Sequence, residues 1–207
     1  IKYFYSKLRD DGHLKKVLKS DYDERIKKKL GRFIASGYFL IEDAPLQESS
    51  LISILFEEQD SSHLGGLIES VLYDKNITQK KLLTLWKKFN NDILTKDNQH
   101  LDLSLLINWI RKVENLTDEI TKYALNSLNF YKQGALDNYV FECLFGFIEK
   151  KPDNSCEVFL GIIKQQENIF TDKEIKEFCE ELNKERREDL SKQIKNYYLS
   201  KGRDLLP

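Results

Sequence analysis

Chemistry at a protein site needs reactive side chains that converge, and this chain of 207 residues offers few of them: His13, His63 and His100, with Cys143, Cys156 and Cys179. A zinc centre takes three or four His/Cys ligands, usually including one close pair. No two of these six are spaced as such a pair. The cysteines lack C-x-x-C spacing and each falls on the apolar stripe of a different expected helix, so they read as reduced, buried thiols of an intracellular protein. A thiol nucleophile would need a base and an electropositive setting, and the sequence places neither beside any of them. Gly65-Gly66 is not followed by Lys-Ser/Thr and no strand precedes it, so the phosphate-binding loops of nucleotide enzymes are missing. Neither a metal nor a cofactor is expected.

Two nuclease patterns fail on spacing. Arg9 and His13 have three residues between them, whereas the HEPN ribonucleases separate their Arg and His by four to six. After Pro152-Asp153, Glu157-Val158-Phe159 lacks the lysine of the Glu-x-Lys that a restriction-type site requires. Glu57-Glu58 and Glu180-Glu181 are adjacent on expected helices and so point about 100° apart instead of at one substrate. The remaining cluster is basic: Lys27, Lys28, Lys29 and Arg32 lie within two helical turns, preceded by Lys15, Lys16 and Lys19. This is a possible contact surface for phosphate, although Asp21, Asp23 and Glu24 are interleaved and no aromatic platform accompanies the lysines.

The elements that carry these residues are helices. Charged residues make up 32% and hydrophobic ones 41%, which excludes both a disordered chain and a membrane-embedded one. Thirty-three Lys+Arg against 34 Asp+Glu give net −1, which argues against a protein built to blanket a polyanion. Proline occurs three times, and apolar residues recur at three- and four-residue intervals. The clearest segment, about 78–94, puts Leu82, Trp86, Phe89 and Ile93 on one stripe with Lys80, Lys81, Lys87 and Lys88 away from it. Thr78 caps its start and Ile77 staples to Leu82. Thr171 with Glu174 forms a second capping box, flanked by Phe170 and Ile175. Further helices are expected over 21–38 (Ile26, Leu30, Phe33 and Ile34 inward), 46–58 after a turn at Asp43-Ala44-Pro45, from a cap at Ser61 or Ser62, and over 101–113, 117–133, 136–150 and 154–167. A last one carries Leu190, Ile194, Tyr197 and Tyr198.

These starts are about 15–23 residues apart, so helix pairs recur every ~35–40 residues. Short connections force antiparallel neighbours, and the expected fold is all-α, an irregular HEAT-like α-solenoid of stacked antiparallel pairs, with an irregular helical bundle as the alternative. Residues 1–207 are read as one helical domain. Because the chain opens at Ile1 and contains no Met, it is expected to be a fragment of a longer polypeptide.

Gly31 to Tyr38, the Leu85-Trp86-Lys87-Lys88-Phe89 helix and the closing stretch from Tyr197 to Leu206 resemble the C-terminal helical region of large multidomain bacterial proteins with an NTPase or other effector domain upstream, a group that includes antiphage-defence proteins. The resemblance implies a non-catalytic, cytoplasmic scaffold or sensor that holds a protein partner or an upstream domain of the same chain. It carries no catalytic signature. A nucleic-acid-binding module using Lys27, Lys28, Lys29 and Arg32, or an all-α nuclease whose residues converge only in three dimensions, is the alternative; a membrane partner is not expected.

Overall fold

The computed structural model describes residues 3, 5–7, 12–40, 51–94 and 101–203, and all regular structure among them is helical. In chain order the helices are α1 (His13–Leu18), α2 (Glu24–Leu40), α3 (Leu51–Glu58), α4 (Ser61–Tyr73) and α5 (Gln79–Phe89), which runs on through a π-helical turn (Asn90–Leu94). A 3₁₀ helix (Ser104–Lys112) follows, then α6 (Asp118–Leu128), α7 (Tyr139–Phe147), α8 (Pro152–Gln165), α9 (Asp172–Lys184) and α10 (Glu188–Ser200). The turn at Asp43-Ala44-Pro45 and the helix start at Leu46, together with Arg9, His100 and the end of the closing stretch beyond Arg203, lie outside the described residues.

Local chemistry fixes several boundaries where the sequence places them. Thr78 accepts the Lys81 amide, Thr117 accepts that of Ile120, and Thr171 with Glu174 completes a reciprocal box. The helix expected from 154 instead begins at Pro152, whose missing N–H costs nothing in the first turn of α8. The stripe of α5 and its π-helical turn is realised in full: Leu82, Trp86, Phe89 and Ile93 are all buried. Around it the indole N–H of Trp86 donates to Ser127 Oγ, that of Trp109 donates to the Ile68 carbonyl, and Phe56 packs edge-on to Phe89. A second aromatic stack, Phe159 between Phe170 and Phe178, fills the C-terminal half.

Four further expectations change. Lys81 is buried, not solvated: its ammonium donates to the carbonyls of Tyr38 (3.1 Å) and Phe39 (2.9 Å), satisfying the open end of α2. Asp60, not Ser61 or Ser62, caps α4, because Asp60 keeps the extended backbone (ψ 123°) from which a side chain reaches forward to the free amides. Residues 104–112 wind as a 3₁₀ helix. Ile26 faces outward, 45% exposed.

Neighbouring elements are joined by side-chain hydrogen bonds. Many span 33–41 residues, as Lys27 to Asp60 (33 residues), Trp86 to Ser127 (41), Tyr131 to Gln166 (35), Asn154 to Asp118 (36) and Tyr197 to the Ile163 carbonyl (34), while Asn108 to the Ala135 carbonyl spans 27. The widest hydrogen bond among the described residues, Lys81 to Tyr38, spans 43. Among the described residues each helix pair therefore bonds mainly with its neighbours in the chain, an order that an all-α solenoid and an irregular helical bundle can both hold.

Candidate functional site

The basic cluster and a groove meet at the crossing of α2 and α4. The two helices approach so closely that a Cβ at Gly31 would run into the His63 carbonyl, and one at Gly66 into the Lys28 carbonyl. Each helix thus spends a glycine where the other presents a backbone oxygen, three residues apart in both cases (28 and 31, 63 and 66). This contact buries His63, leaving both ring nitrogens without a hydrogen-bond partner, Nδ1 being 3.5 Å from Asp60. Burial lowers the His63 pKa, with Asp60 pulling the other way.

Beside the crossing lies a groove of about 460 Å³. Its walls come from Glu24, Arg25 and Lys28 on α2, and from Ser61, Ser62 and Glu69 on α4. The entry to the 3₁₀ helix closes it with Asp102 and Ser104, while Gly65, Ile68 and Leu105 supply its less polar lining. A Cβ at Gly65 would meet nothing within 4 Å, so this part of the wall is bare backbone. The Asp102 amide donates to Ser61 Oγ (2.9 Å), which ties the third wall to the second.

Glu69, Asp102 and Asp60 are held ionised. Burial alone would raise Glu69, but ion pairs with Lys28 and Arg32 keep its pKa below the ordinary value. Asp102 is pushed up by burial and pulled further down by the Ser104 hydroxyl and Lys132. Asp60 likewise ends low, through the His63 amide and the ammonium of Lys27 at 3.1 Å. General acids need the opposite shift. Chemically the groove offers fixed charges of both signs, hydroxyls and a strip of bare backbone, which is equipment for binding.

Of the four basic residues singled out from sequence, Lys27 is drawn to Asp60 and Asp21, while Lys28 and Arg32 share Glu69. Lys29 is exposed, with no carboxylate partner among the described residues. Asp60, Glu69 and Asp102 were not picked out from sequence. The signal available for the first two is distance, since Lys27 to Asp60 and Arg32 to Glu69 span 33 and 37 residues, about the expected spacing of successive helix pairs.

The other chemistry-bearing residues do not join this site. His13 is exposed on α1. Cys143, Cys156 and Cys179 lie on α7, α8 and α9 as free thiols, and Cys156 and Cys179 point to the adjacent carbonyls of Leu190 and Ser191. Burial pushes the Cys156 thiol up to about 12. Asp153 and Glu157 stand one turn apart on α8 beside a smaller groove of about 290 Å³, and Asp153 is bound by Arg187. Glu58 and Glu181 pair with Lys19 and Lys184. Among the described residues, no three His, Cys, Asp or Glu are grouped to hold a metal, and no helix is long and apolar enough to cross a membrane. No protein-family model, curated protein or solved structure matches the chain.

Proposed function

We propose that this chain is a non-catalytic helical recognition module that holds a protein partner, or an upstream domain of its own polypeptide, along one flank of the stack. The observation that supports this reading is that, among the described residues, the elements bond mainly with their neighbours in the chain. A stack whose pairs meet mainly their neighbours leaves a long flank uncovered, and such flanks serve extended, many-point recognition without any special residue type. The α2/α4 groove, with Glu69 and Asp102 held ionised, supplies binding chemistry on that flank. Free, buried Cys156 and Cys179 suit a reducing compartment, in keeping with a cytoplasmic place in a larger bacterial protein of the antiphage-defence kind that the sequence resembles.

The test is a photocrosslinking amino acid in place of Gly65, where the wall has room, with the same group at Lys122 on α6 as control. Irradiation in the native host is expected to give one discrete polypeptide adduct, or an intramolecular one, from position 65 and not from position 122. Adducts with nucleic acid, or equal labelling from both positions, refute the reading.

A further inference from the structure

The charge of the chain is unevenly spread. Residues 12–40 carry eight Lys/Arg against three Asp/Glu, a net +5 within a chain whose total is −1. Part of this excess is consumed internally by Asp60 and Glu69. What is left points outward: Lys15, Lys16 and Lys29 are exposed and have no carboxylate partner among the described residues, and the Arg25 side chain is 93% exposed beside Asp23. Arg25, Lys29 and Arg32 recur at four- and three-residue spacing along one face of α2, and Ile26, three residues before Lys29, lies at the edge of that face. That face is not purely polar. Tyr22, just before the helix, is 40% exposed and Ile26 is 45% exposed.

We propose that this face of α2 docks an acidic polypeptide segment, its carboxylates on Arg25 and Lys29 and one of its apolar side chains on Ile26. The proposal rests on the recognition-module reading and names the partner's chemistry. Charge complementarity requires an anionic partner, and two features choose among anions. Ile26 gives a phosphate backbone nothing apolar to meet, whereas a peptide that alternates acidic and aliphatic residues covers it. Glu24 and Glu69 stand at the rim of the groove among the cations; a continuous line of phosphates would have to pass them, while a peptide can place a neutral or basic residue there.

The experiment is fluorescence anisotropy of the whole chain with three labelled probes: a peptide alternating Glu and Leu, its Lys/Leu counterpart, and a single-stranded RNA. The Glu/Leu peptide is expected to bind tightest and to weaken as salt is raised. Arg25→Glu/Lys29→Glu should weaken it at least tenfold, and Ile26→Asp should weaken it too, with circular dichroism unchanged because all three side chains are exposed. Lys122→Glu should leave binding as it was. Peptide binding indifferent to these α2 variants, or no peptide binding while position 65 still crosslinks a polypeptide, overturns the docking face and leaves the recognition reading standing. RNA binding tighter than the peptide, and lost with the same variants, overturns both.

Discussion

Gly65 and Gly66 are neighbours in one helix, and the structure gives them opposite roles. Alanine is preferred over glycine in a helix by about 1 kcal/mol, so Gly65→Ala, with nothing within 4 Å of the added methyl, should stabilise by about 0.5–1 kcal/mol. The same methyl at Gly66 meets backbone: the Lys28 carbonyl carbon lies at 3.0 Å, the Arg32 nitrogen at 3.1 Å, and the Lys28 oxygen is closer still. Backbone cannot rotate aside as a side chain can, so α2 and α4 must part by roughly 1 Å to reach ordinary contact. Overpacking of this kind costs about 1–3 kcal/mol, and it also strains the Lys27–Asp60 and Lys28–Glu69 pairs that span the crossing. After the propensity gain, Gly66→Ala should destabilise by about 1–2 kcal/mol, which separates the two variants by roughly 2 kcal/mol. At this chain length that is a difference in Tm of about 4–8 °C. Thermal and urea unfolding followed by circular dichroism measure it directly. A Gly66→Ala protein as stable as Gly65→Ala would refute the close crossing and with it the placement of His63 and the groove.

Three further outcomes follow from single environments. Lys81→Met keeps the stem and removes the ammonium from the Tyr38 and Phe39 carbonyls; losing charge-assisted bonds at a buried helix end should cost about 2–4 kcal/mol, read as a shift in the urea midpoint, and an unchanged midpoint contradicts the burial. His63 is held below its ordinary pKa of about 6.5, so the unfolded imidazole takes up a proton that the folded one resists. Stability should therefore be complete above about pH 6.5 and be lost as pH falls through the lower folded value; His63→Leu should flatten that slope, and a slope equal to wild type counts against it. Thiol alkylation followed by mass spectrometry should label half-buried Cys143 first and reach Cys156 and Cys179 only after denaturation; early labelling of Cys156 would show that the C-terminal pairs open readily.

How far each feature was legible depends on the range of the interaction that creates it. Thr78, Thr117 and Thr171 were readable as helix starts because a cap acts on an amide three residues away. The all-α class was readable for the same reason, since it follows from local spacing. Lys81 was misread because its burial depends on the end of α2, more than forty residues upstream, arriving over it. Asp60 was passed over for Ser61 and Ser62 because all three are competent caps, and the choice falls to the residue left extended by the turn from α3. The site shows the same limit. Lys27, Lys28 and Arg32 were visible as charge, but the carboxylates that hold them belong to the next helix pair.

That limit also identifies what the ion pairs do. Lys27–Asp60, Arg32–Glu69, Arg187–Asp153 and Arg203–Asp172 each join residues 31–37 apart, so each bolts one pair of the stack to the next. The way each helix pair lies on the next depends on such joints. Partly exposed pairs of this kind contribute about 0–1 kcal/mol apiece to stability, so their value here is angular: they set how α4 lies on α2, and hence how wide the groove beside Gly65 stands. Glu69→Gln should accordingly leave the unfolding midpoint almost unmoved while changing the groove, and the measurement is crosslinking yield from position 65, which should alter by several-fold. An unchanged yield together with a large fall in stability would mean that Glu69 serves the core of the crossing and not its angle.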